Sequence, residues 1–425
     1  MIATAPLRFY IKTFGCRLNQ AESDSFTAQL ASYGWHPVAR DHQADVVIIH
    51  SCAITHTAEQ EALRLCRRLT RLTPPPFIVL SGCVTAAASL NKLTASGASL
   101  IVNRTDRPNL AQLVLKACAD LPSSCRTTVT PAPPRTRPLL QVQDGCNFFC
   151  NYCIVPHTRG GPISRPLTDC LAEASTLIAN GAREIVVTGC NTACYQDGHY
   201  RLPQLIEALV NLPGLARLRL SSIEPGTVER DIADLMARYP LICRQLHLPL
   251  QSGDNTTLRS MGRRYTSEAF RESITYALGR VPDLGLGTDI ITGFPGESAA
   301  HHANTRQLIT DLPFSNLHVF PYSERQGTPA ATMANQIAPE LRKQRAAELI
   351  AIGQTKRHNF ARSFIGKPVT TIIERFASDG TARGWSSSYL PCHVAGLQPA
   401  AINTLVSFTP TAVKDDTLIG LATAP

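Results

Sequence analysis

Short apolar runs rich in β-branched residues alternate with amphipathic stretches along most of the chain. Three runs open it: Arg8-Phe-Tyr-Ile-Lys-Thr-Phe-Gly15, Asp45-Val-Val-Ile-Ile-His-Ser51 and Phe77-Ile-Val-Leu-Ser-Gly82. Each reads as a buried strand. Polar helical stretches lie between them, and strands alternating with helices predict a parallel sheet. The segment Thr128–Pro138 is proline-rich and reads as an extended linker, which places a domain boundary there. The alternation then starts afresh, with strands expected at Leu139–Gln143, Glu184–Thr188, Arg217–Ser221, Gln245–Leu248, Leu286–Ile291 and Asn316–Phe320. Between them, Leu167, Leu171, Ala174 and Ile178 share one helical face, and Gly181 stands where a C-terminal cap belongs. Six consecutive β/α units predict a full or partial β/α barrel with its chemistry in the loops after the strands. Ala338–Ile365 reads as a long basic helix carrying Arg342, Lys343, Arg345, Lys356, Arg357 and Arg362. From Gly366 the helical period ends, and the β-rich pieces Val369–Phe376, Cys392–Val394, Thr404–Phe408 and Thr417–Leu421 predict a small all-β barrel. Barrels of that size often bind oligonucleotides, and a structural cap is the plainer alternative. The expected fold is therefore α/β: a parallel α/β sheet domain over 1–127, a partial (β/α)6 barrel over 139–365 and an all-β barrel over 366–425.

Composition narrows the function. A chain of 425 residues exceeds one core and should divide into two or three domains. Its 44% hydrophobic and 17% charged residues fit an ordinary globular protein. The net charge of +9 calls for an anionic partner, with nucleic acid the leading candidate and solubility the plain alternative. Arg64, Arg67, Arg68 and Arg71 line one face of the helix after Cys52, either as a solvated stripe or as a phosphate contact. The amino terminus has no charged segment followed by a long apolar run, and no apolar stretch approaches the ~18 residues that span a bilayer. A cytoplasmic protein without membrane contact is expected. In that reducing setting, 14 cysteines point to metal or catalysis rather than a disulfide framework.

The chemistry gathers at Gln143-Asp-Gly-Cys146-Asn-Phe-Phe-Cys150-Asn-Tyr-Cys153-Ile-Val-Pro156, where three thiols are spaced C-x3-C-x2-C. One loop with such spacers can aim three sulfurs at one point. Tetrahedral thiolate sites hold zinc or iron–sulfur. His157 offers a fourth ligand for structural zinc. A four-iron cubane would instead keep one iron open. Cys16, Cys52 and Cys83 each fall just past the carboxyl end of an expected strand, where a parallel sheet collects its ligands. They read as a second metal site, or else as buried structural thiols. Cys66, Cys118 and Cys125 lack the pattern and read as packing or surface residues. Further polar residues and glycines follow the barrel strands in Thr188-Gly189-Cys-Asn191, Ser222-Ile-Glu224, His247-Leu-Pro-Leu-Gln251 and Gly287-Thr-Asp289, as a rim of small-ligand contacts requires.

Over nearly its whole length the chain resembles the radical S-adenosylmethionine methylthiotransferases. The triplet with Ile154-Val-Pro156 and Arg159-Gly160 resembles the superfamily's signature loop, and the strand-end cysteines resemble the family's auxiliary-cluster domain. Thr188-Gly-Cys-Asn-Thr-Ala-Cys-Tyr195, Leu220-Ser-Ser-Ile-Glu-Pro225 and His318-Val-Phe-Pro-Tyr-Ser-Glu-Arg-Gln-Gly-Thr328 resemble the branch acting on threonylcarbamoyladenosine beside the tRNA anticodon. Two positions depart from the pattern: His50-Ser51 where relatives usually carry Asn-Thr, and Cys190 where a small apolar residue is common. The resemblance implies two [4Fe-4S] clusters, one on Cys146, Cys150 and Cys153 and one on Cys16, Cys52 and Cys83. It implies S-adenosyl-L-methionine as cofactor, oriented by Gly189, Asn191, Glu224, Gln251 and Asp289. It also implies a methylthio group placed on adenine C2, tRNA gripped by the basic helices and the terminal TRAM-like barrel, a sulfur donor, and a one-electron reductant such as a flavodoxin or ferredoxin. Sister enzymes acting on isopentenyladenosine tRNA or a ribosomal protein are the enzymatic alternatives. A non-catalytic metal-binding RNA-binding protein is the other.

Overall fold

The computed structural model describes residues 6–53, 56–121 and 135–422. These form two compact units. Unit 1 comprises Met1–Pro134, Gly145–Gly161 and Arg325–Ala331; unit 2 comprises Arg135–Asp144, Pro162–Glu324 and Thr332–Pro425. The linker expected at Thr128–Pro138 and Cys125 lie largely or wholly outside the described residues. Among the described residues no helix is long and apolar enough to cross a membrane.

Unit 1 is a parallel sheet of β1 (Arg8–Phe14), β2 (His36–Pro37), β3 (Val46–Ser51), β4 (Phe77–Gly82) and β5 (Leu100–Val102), in the order β2-β1-β3-β4-β5. Its helices are α1 (Arg17–Ser32), α2 (His56–Leu69), α3 (Val84–Ala87), α4 (Leu90–Thr94), α5 (Leu110–Ala117) and α6 (Val155–Arg159). The central strand shows why its run is continuously apolar. Val46 and Ile48 enter one core with Phe9, Leu30, Trp35 and Val114, whereas Val47 and Ile49 enter another with Ala62, Cys66 and Leu69. A strand covered by helices on both faces has no polar side to show. The edge strands β2 and β5 are too short to announce themselves in the sequence.

In unit 2 the strands expected from the sequence are β6 (Leu139–Asp144), β8 (Glu184–Gly189), β11 (Arg217–Leu220), β12 (Gln245–His247), β13 (Gly285–Thr292) and β14 (Asn316–Pro321). They are joined by β7 (Ile163–Ser164), which pairs antiparallel with β6, and a small hairpin of β9 (Gln196–Asp197) and β10 (Tyr200–Arg201). One sheet runs β11-β8-β6-β7 and another β12-β13-β14. Isolated parallel bridges at Leu218–Ile242 and Ser222–His247 carry β11 toward β12, so the six strands form an open, partial barrel. Helices α7 (Leu167–Ala179), α8 (Leu202–Val210), α9 (Glu229–Arg238), α10 (Asn255–Ser260), α11 (Ser267–Arg280) and α12 (Ala299–Asp311) cover it. The face foreseen on α7 is apolar as expected, and Gly181 takes φ +93° past its end.

After α13 (Pro339–Arg362), β15 (Val369–Phe376), β16 (Ala382–Ser386), β17 (Pro391–Ala395), β18 (Leu405–Lys414) and β19 (Thr417–Ala422) close into a barrel. Strand β16 was not expected, because Arg383-Gly-Trp breaks its apolar alternation. Gly384 is needed there, since a β-carbon would lie 1.9 Å from the Ile372 carbonyl oxygen. Buried arginines fasten this barrel to the α/β sheet. Arg219 pairs with Glu184 at 2.7 Å and donates to the Ser386 and Ser387 carbonyls, and Arg217 donates to those of Trp385 and Thr370.

The basic helix α13 is a brace more than a phosphate grip. Arg345 is buried against Glu297 at 2.6 Å, Arg342 donates to the Tyr322 and Ile337 carbonyls, and Lys356 donates to those of Thr310 and Leu312. Arg357 pairs with Asp416. Of its six cations, only Lys343 and Arg362 are exposed. Those charges satisfy backbone and carboxylates that the helix covers, which no charge count along the chain distinguishes from a free stripe.

Candidate metal centres

The first three cysteines meet through sheet register. Phe14 of β1 lies opposite Ser51 of β3, which lies opposite Gly82 of β4. Cys52 and Cys83 follow their strands directly, and Cys16 follows after one extra residue, Gly15. Gly15 has φ +122°, and a β-carbon on it would lie 2.3 Å from Cys52 Cβ and 3.3 Å from Cys52 Sγ. Gly82 has φ +99°, and its β-carbon would strike the Ser51 carbonyl oxygen at 2.3 Å. Neither position admits a side chain, because both backbones must cross the strand-end crevice at close range. Cys52 and Cys83 are buried, whereas Cys16 keeps exposed area. Protein crowded around the Cys16 thiol raises its pKa, and the Arg159 guanidinium opposes that rise.

The second trio also folds within unit 1, although its loop lies far along the chain. Gly145, at φ +73°, brings the ends of that loop together: its β-carbon would lie 2.0 Å from the Gly161 carbonyl oxygen. The Cys146 N–H donates to the Gly160 carbonyl at 2.9 Å, and the Cys153 N–H to the Cys150 carbonyl at 2.9 Å. Cys150 is buried, and Cys146 and Cys153 are half-buried. His157 is exposed and lies edge-on to Phe149. A single zinc ion requires sulfurs ~3.8 Å apart, given tetrahedral bonds of about 2.3 Å. Among the described residues, neither cysteine trio draws its ligand atoms within 4.8 Å of one another.

A buried charge network joins the trios, and along the chain it is announced only by single acids in the helices after Cys16 and Cys52. Glu22, on the helix that begins after Cys16, is gripped by both terminal nitrogens of Arg159 at 2.8 and 3.2 Å. It also meets Arg107 at 3.1 Å and His50 Nε2 at 2.9 Å. Burial alone would raise the Glu22 carboxyl; the His50 hydrogen bond and the Arg159 charge outweigh it and hold the group well below the usual carboxylate range. Asn19 receives the Cys16 thiol at 3.0 Å and Arg159 at 3.4 Å. Thus His50, a departure from the expected Asn, is spent on Glu22. A second buried pair joins Glu59 of α2 to Arg325 at 2.9 Å.

The residues expected to orient a small ligand all lie in unit 2 and fall into groups. Gln143 Oε1 accepts the Asn191 N–H at 2.9 Å, and a β-carbon on Gly189 would lie 3.0 Å from the Gln143 carbonyl oxygen. Gln251, at φ +68°, donates its N–H to the Asp289 carbonyl at 2.8 Å. Glu224 pairs with Arg263 at 2.6 Å, yet burial still raises its pKa. Two histidines missed as site residues flank Asp289: His247 Nε2 at 3.1 Å and His318 Nδ1 at 3.3 Å, on the same oxygen. These three side chains converge within 4.8 Å, as metal ligands would. However, Arg357 donates to Asn316 Oδ1, which turns the amide nitrogen toward His318 Nε2 at 2.8 Å. The group therefore reads as a half-buried carboxylate beside two imidazoles, of which His247 Nε2 approaches without hydrogen-bond geometry. Burial would raise the Asp289 carboxyl; the two histidines hold it below the usual range instead. In unit 1, Tyr10, Lys12, Phe14, Arg64 and Arg68 line a recess of about 340 Å³ together with Leu65 and the carboxylates of Glu61 and Asp41, the latter paired with Arg68, and Arg67 and Arg71 are exposed nearby on the sequence. Cys66 and Cys118 are buried packing residues, their thiols pushed up to about 11 and about 12 by burial.

Models of two protein families match the chain: the Radical SAM superfamily over residues 140–309 and "Uncharacterized protein family UPF0004" over residues 8–102. The threonylcarbamoyladenosine tRNA methylthiotransferase MtaB of Chlamydia pneumoniae is 32% identical over 97% of this chain and 97% of its own. The chain belongs to the radical SAM tRNA methylthiotransferase family. The tRNA-2-methylthio-N(6)-dimethylallyladenosine synthase of Zymomonas mobilis is 33% identical over 94% of this chain and 93% of its own. The MtaB of Bacillus subtilis is 30% identical over 85% of this chain and 84% of its own. Similarity to family members of both names leaves the chain an enzyme of this family without choosing between them. A solved radical S-adenosylmethionine methyltransferase, TsrM of Kitasatospora setae, aligns with a TM-score of 0.57 at 15% identity over 77% of this chain and 74% of that one, a likeness of fold. Membership of the radical SAM methylthiotransferases implies a [4Fe-4S] cluster and S-adenosylmethionine.

Proposed function

We propose that this enzyme places a methylthio group on C2 of N6-threonylcarbamoyladenosine next to the tRNA anticodon. Cys146, Cys150 and Cys153 hold one [4Fe-4S] cluster, and Cys16, Cys52 and Cys83 hold a second. The donor sets fit: each trio offers three thiols, which would leave one iron of a four-iron cubane without a protein ligand. Arg107 and Arg159 together outweigh the one carboxylate of Glu22, which leaves buried positive charge beside Cys16 for an anionic cluster. When bound, such clusters supply the electron that splits S-adenosylmethionine reductively and a place to hold the sulfur; radical chemistry of this kind belongs to the cofactor. The chain's own work is to bind, orient and shield. Gly189 and Asn191 bring backbone close at the end of β8, Gln251 and Asp289 present fixed polar groups, and Glu224 keeps a carboxyl half-poised by Arg263. These are the proposed S-adenosylmethionine contacts.

The observation that carries the choice of substrate is the polar character of the β12–β14 strands, where His247, Asp289 and His318 stand side by side. A threonylcarbamoyl group brings a hydroxyl and N–H groups that can donate to such a polar face. A dimethylallyl group would want an apolar lining. The tRNA contacts are proposed at the recess of Tyr10, Phe14, Arg64 and Arg68, where bases can stack beside cations, and at the terminal barrel over 366–425. A one-electron reductant such as a flavodoxin or ferredoxin, and a sulfur donor, complete the partners. Nucleoside mass spectrometry of tRNA from a strain lacking the gene tests the assignment. Loss of the methylthio form of threonylcarbamoyladenosine, with its unmodified precursor accumulating, is expected; loss of the methylthio dimethylallyl nucleoside instead overturns it.

A further inference from the structure

The six cysteines come from three strand ends and one distant loop, and each trio has its own local support. Two buried ion pairs go further and fasten one trio to the other. Glu22 lies six residues past Cys16 and Glu59 seven past Cys52. Each is nearly inaccessible, and each takes an arginine from far along the chain: Arg159 for Glu22 and Arg325 for Glu59. Their arginines reach the two sides of the second loop. Arg159 adjoins Gly160, whose carbonyl holds the Cys146 N–H. Arg325 opens the turn whose Ala330 N–H donates at 2.9 Å to the carbonyl of Asn151, between Cys150 and Cys153. The helix after Cys83, α3, packs against α6, which carries Arg159.

We propose that Glu22 and Glu59 are positioning residues, a two-point clamp that sets the separation and orientation of the two cysteine trios. This rests on the two-cluster reading above. Neither carboxylate touches a reacting group; each acts by holding an arginine. Buried pairs of this sort stabilise weakly compared with apolar packing, but the bidentate Arg159–Glu22 pair fixes orientation well and the single Arg325–Glu59 bond fixes a second point. Sulfur transfer between two centres needs that fixity, whereas reductive cleavage of S-adenosylmethionine needs one centre alone. The clamp therefore governs how many cleavage events end in product.

The test uses full-length enzyme, reconstituted anaerobically, as wild type, Glu22→Gln, Glu59→Gln, Glu59→Arg and the exchanged pair Glu59→Arg with Arg325→Glu. Iron and sulfide per chain, 5′-deoxyadenosine formed, methylthiolated nucleoside formed, and the magnetic broadening between the two reduced clusters are measured. About eight irons per wild-type chain supports the two-cluster reading, and fewer than about five overturns that reading independently of the clamp. With the clusters in place, Glu22→Gln and Glu59→Gln should keep 5′-deoxyadenosine formation within about twofold. Product should fall on the order of 10- to 100-fold, the scale that a ~1 Å misplacement costs, with altered inter-cluster broadening. The exchanged pair should regain most of the product ratio forfeited in Glu59→Arg. An unchanged ratio and unchanged broadening in both glutamine variants overturns the clamp. Loss of iron in a glutamine variant overturns positioning for that residue and makes it a folding residue, and failure of the exchange to restore the ratio overturns it at Glu59.

Discussion

The two cysteine trios reach similar ends by opposite means. The later trio is a local device: three thiols within eight residues, on a sixteen-residue loop whose ends meet at Gly145 and Gly160. The earlier trio is assembled across three adjacent parallel strands, and nothing but sheet register puts Cys16, Cys52 and Cys83 at one edge. A local loop tolerates change elsewhere in its domain, whereas a register-built site inherits every fault of the sheet. The later trio should therefore behave as an autonomous cluster loop and the earlier one as a readout of the fold.

The sharpest break of that comparison is removal of one thiol from each. Cys150→Ala should abolish 5′-deoxyadenosine formation and leave about four irons per chain. Cys52→Ala should also leave about four irons yet keep that cleavage, with no methylthio product, by iron analysis and chromatography. Equal loss of cleavage in both would erase the division between the trios.

Next in size come the glycines. At φ +99°, Gly82→Ala forces a β-carbon against the Ser51 carbonyl, at a cost of about 1–3 kcal/mol in thermal unfolding. Half the iron should go with it while S-adenosylmethionine cleavage remains. Gly145→Ala meets the Gly161 carbonyl and should show the mirror image, keeping the first cluster and losing cleavage.

Smaller effects separate surface charge from braced charge. Arg64→Ala with Arg71→Ala should weaken tRNA binding several-fold and lower the slope of log affinity against log salt by about 1 for each phosphate no longer neutralised. Arg345→Ala, which breaks a buried pair with Glu297, should lower the melting temperature instead and leave that slope alone. Least of all, in folded apo-protein at pH 8, Cys66 and Cys118 should resist iodoacetamide while half-buried Cys146 and Cys153 react, as peptide mass spectrometry would record. Burial pushes the first two thiols up to about 11 and about 12.

What could be read in advance follows the same division. Strand runs such as Val46–Ser51 and the C-x3-C-x2-C spacing are local patterns, and each lies within a residue or two of its expected place. The repeated motif of strand followed by cysteine made even the register-built trio legible, because parallel strands of similar length align their ends. The strands β2, β5 and β16 escaped notice because they are short or interrupted by Arg383-Gly-Trp. The ion pairs escaped entirely. Glu22 and Arg159 stand 137 residues apart, and although Arg159 belongs to the recognised loop, nothing in sequence names Glu22 as its partner. The same blindness misjudged α13, where Arg342, Arg345, Lys356 and Arg357 are internal braces.

The backbone enters unit 1 three separate times, at Met1–Pro134, Gly145–Gly161 and Arg325–Ala331. A chimera that exchanges only the first of these with a relative would leave Glu22 with Arg107 and Glu59 with Lys92 from its own segment, while the guanidinium groups at positions 159 and 325 come from the recipient's later sequence. Transplanting this unit therefore means moving a discontinuous set of segments together, and a gene-fusion junction drawn at the proline-rich linker separates segments of one compact unit.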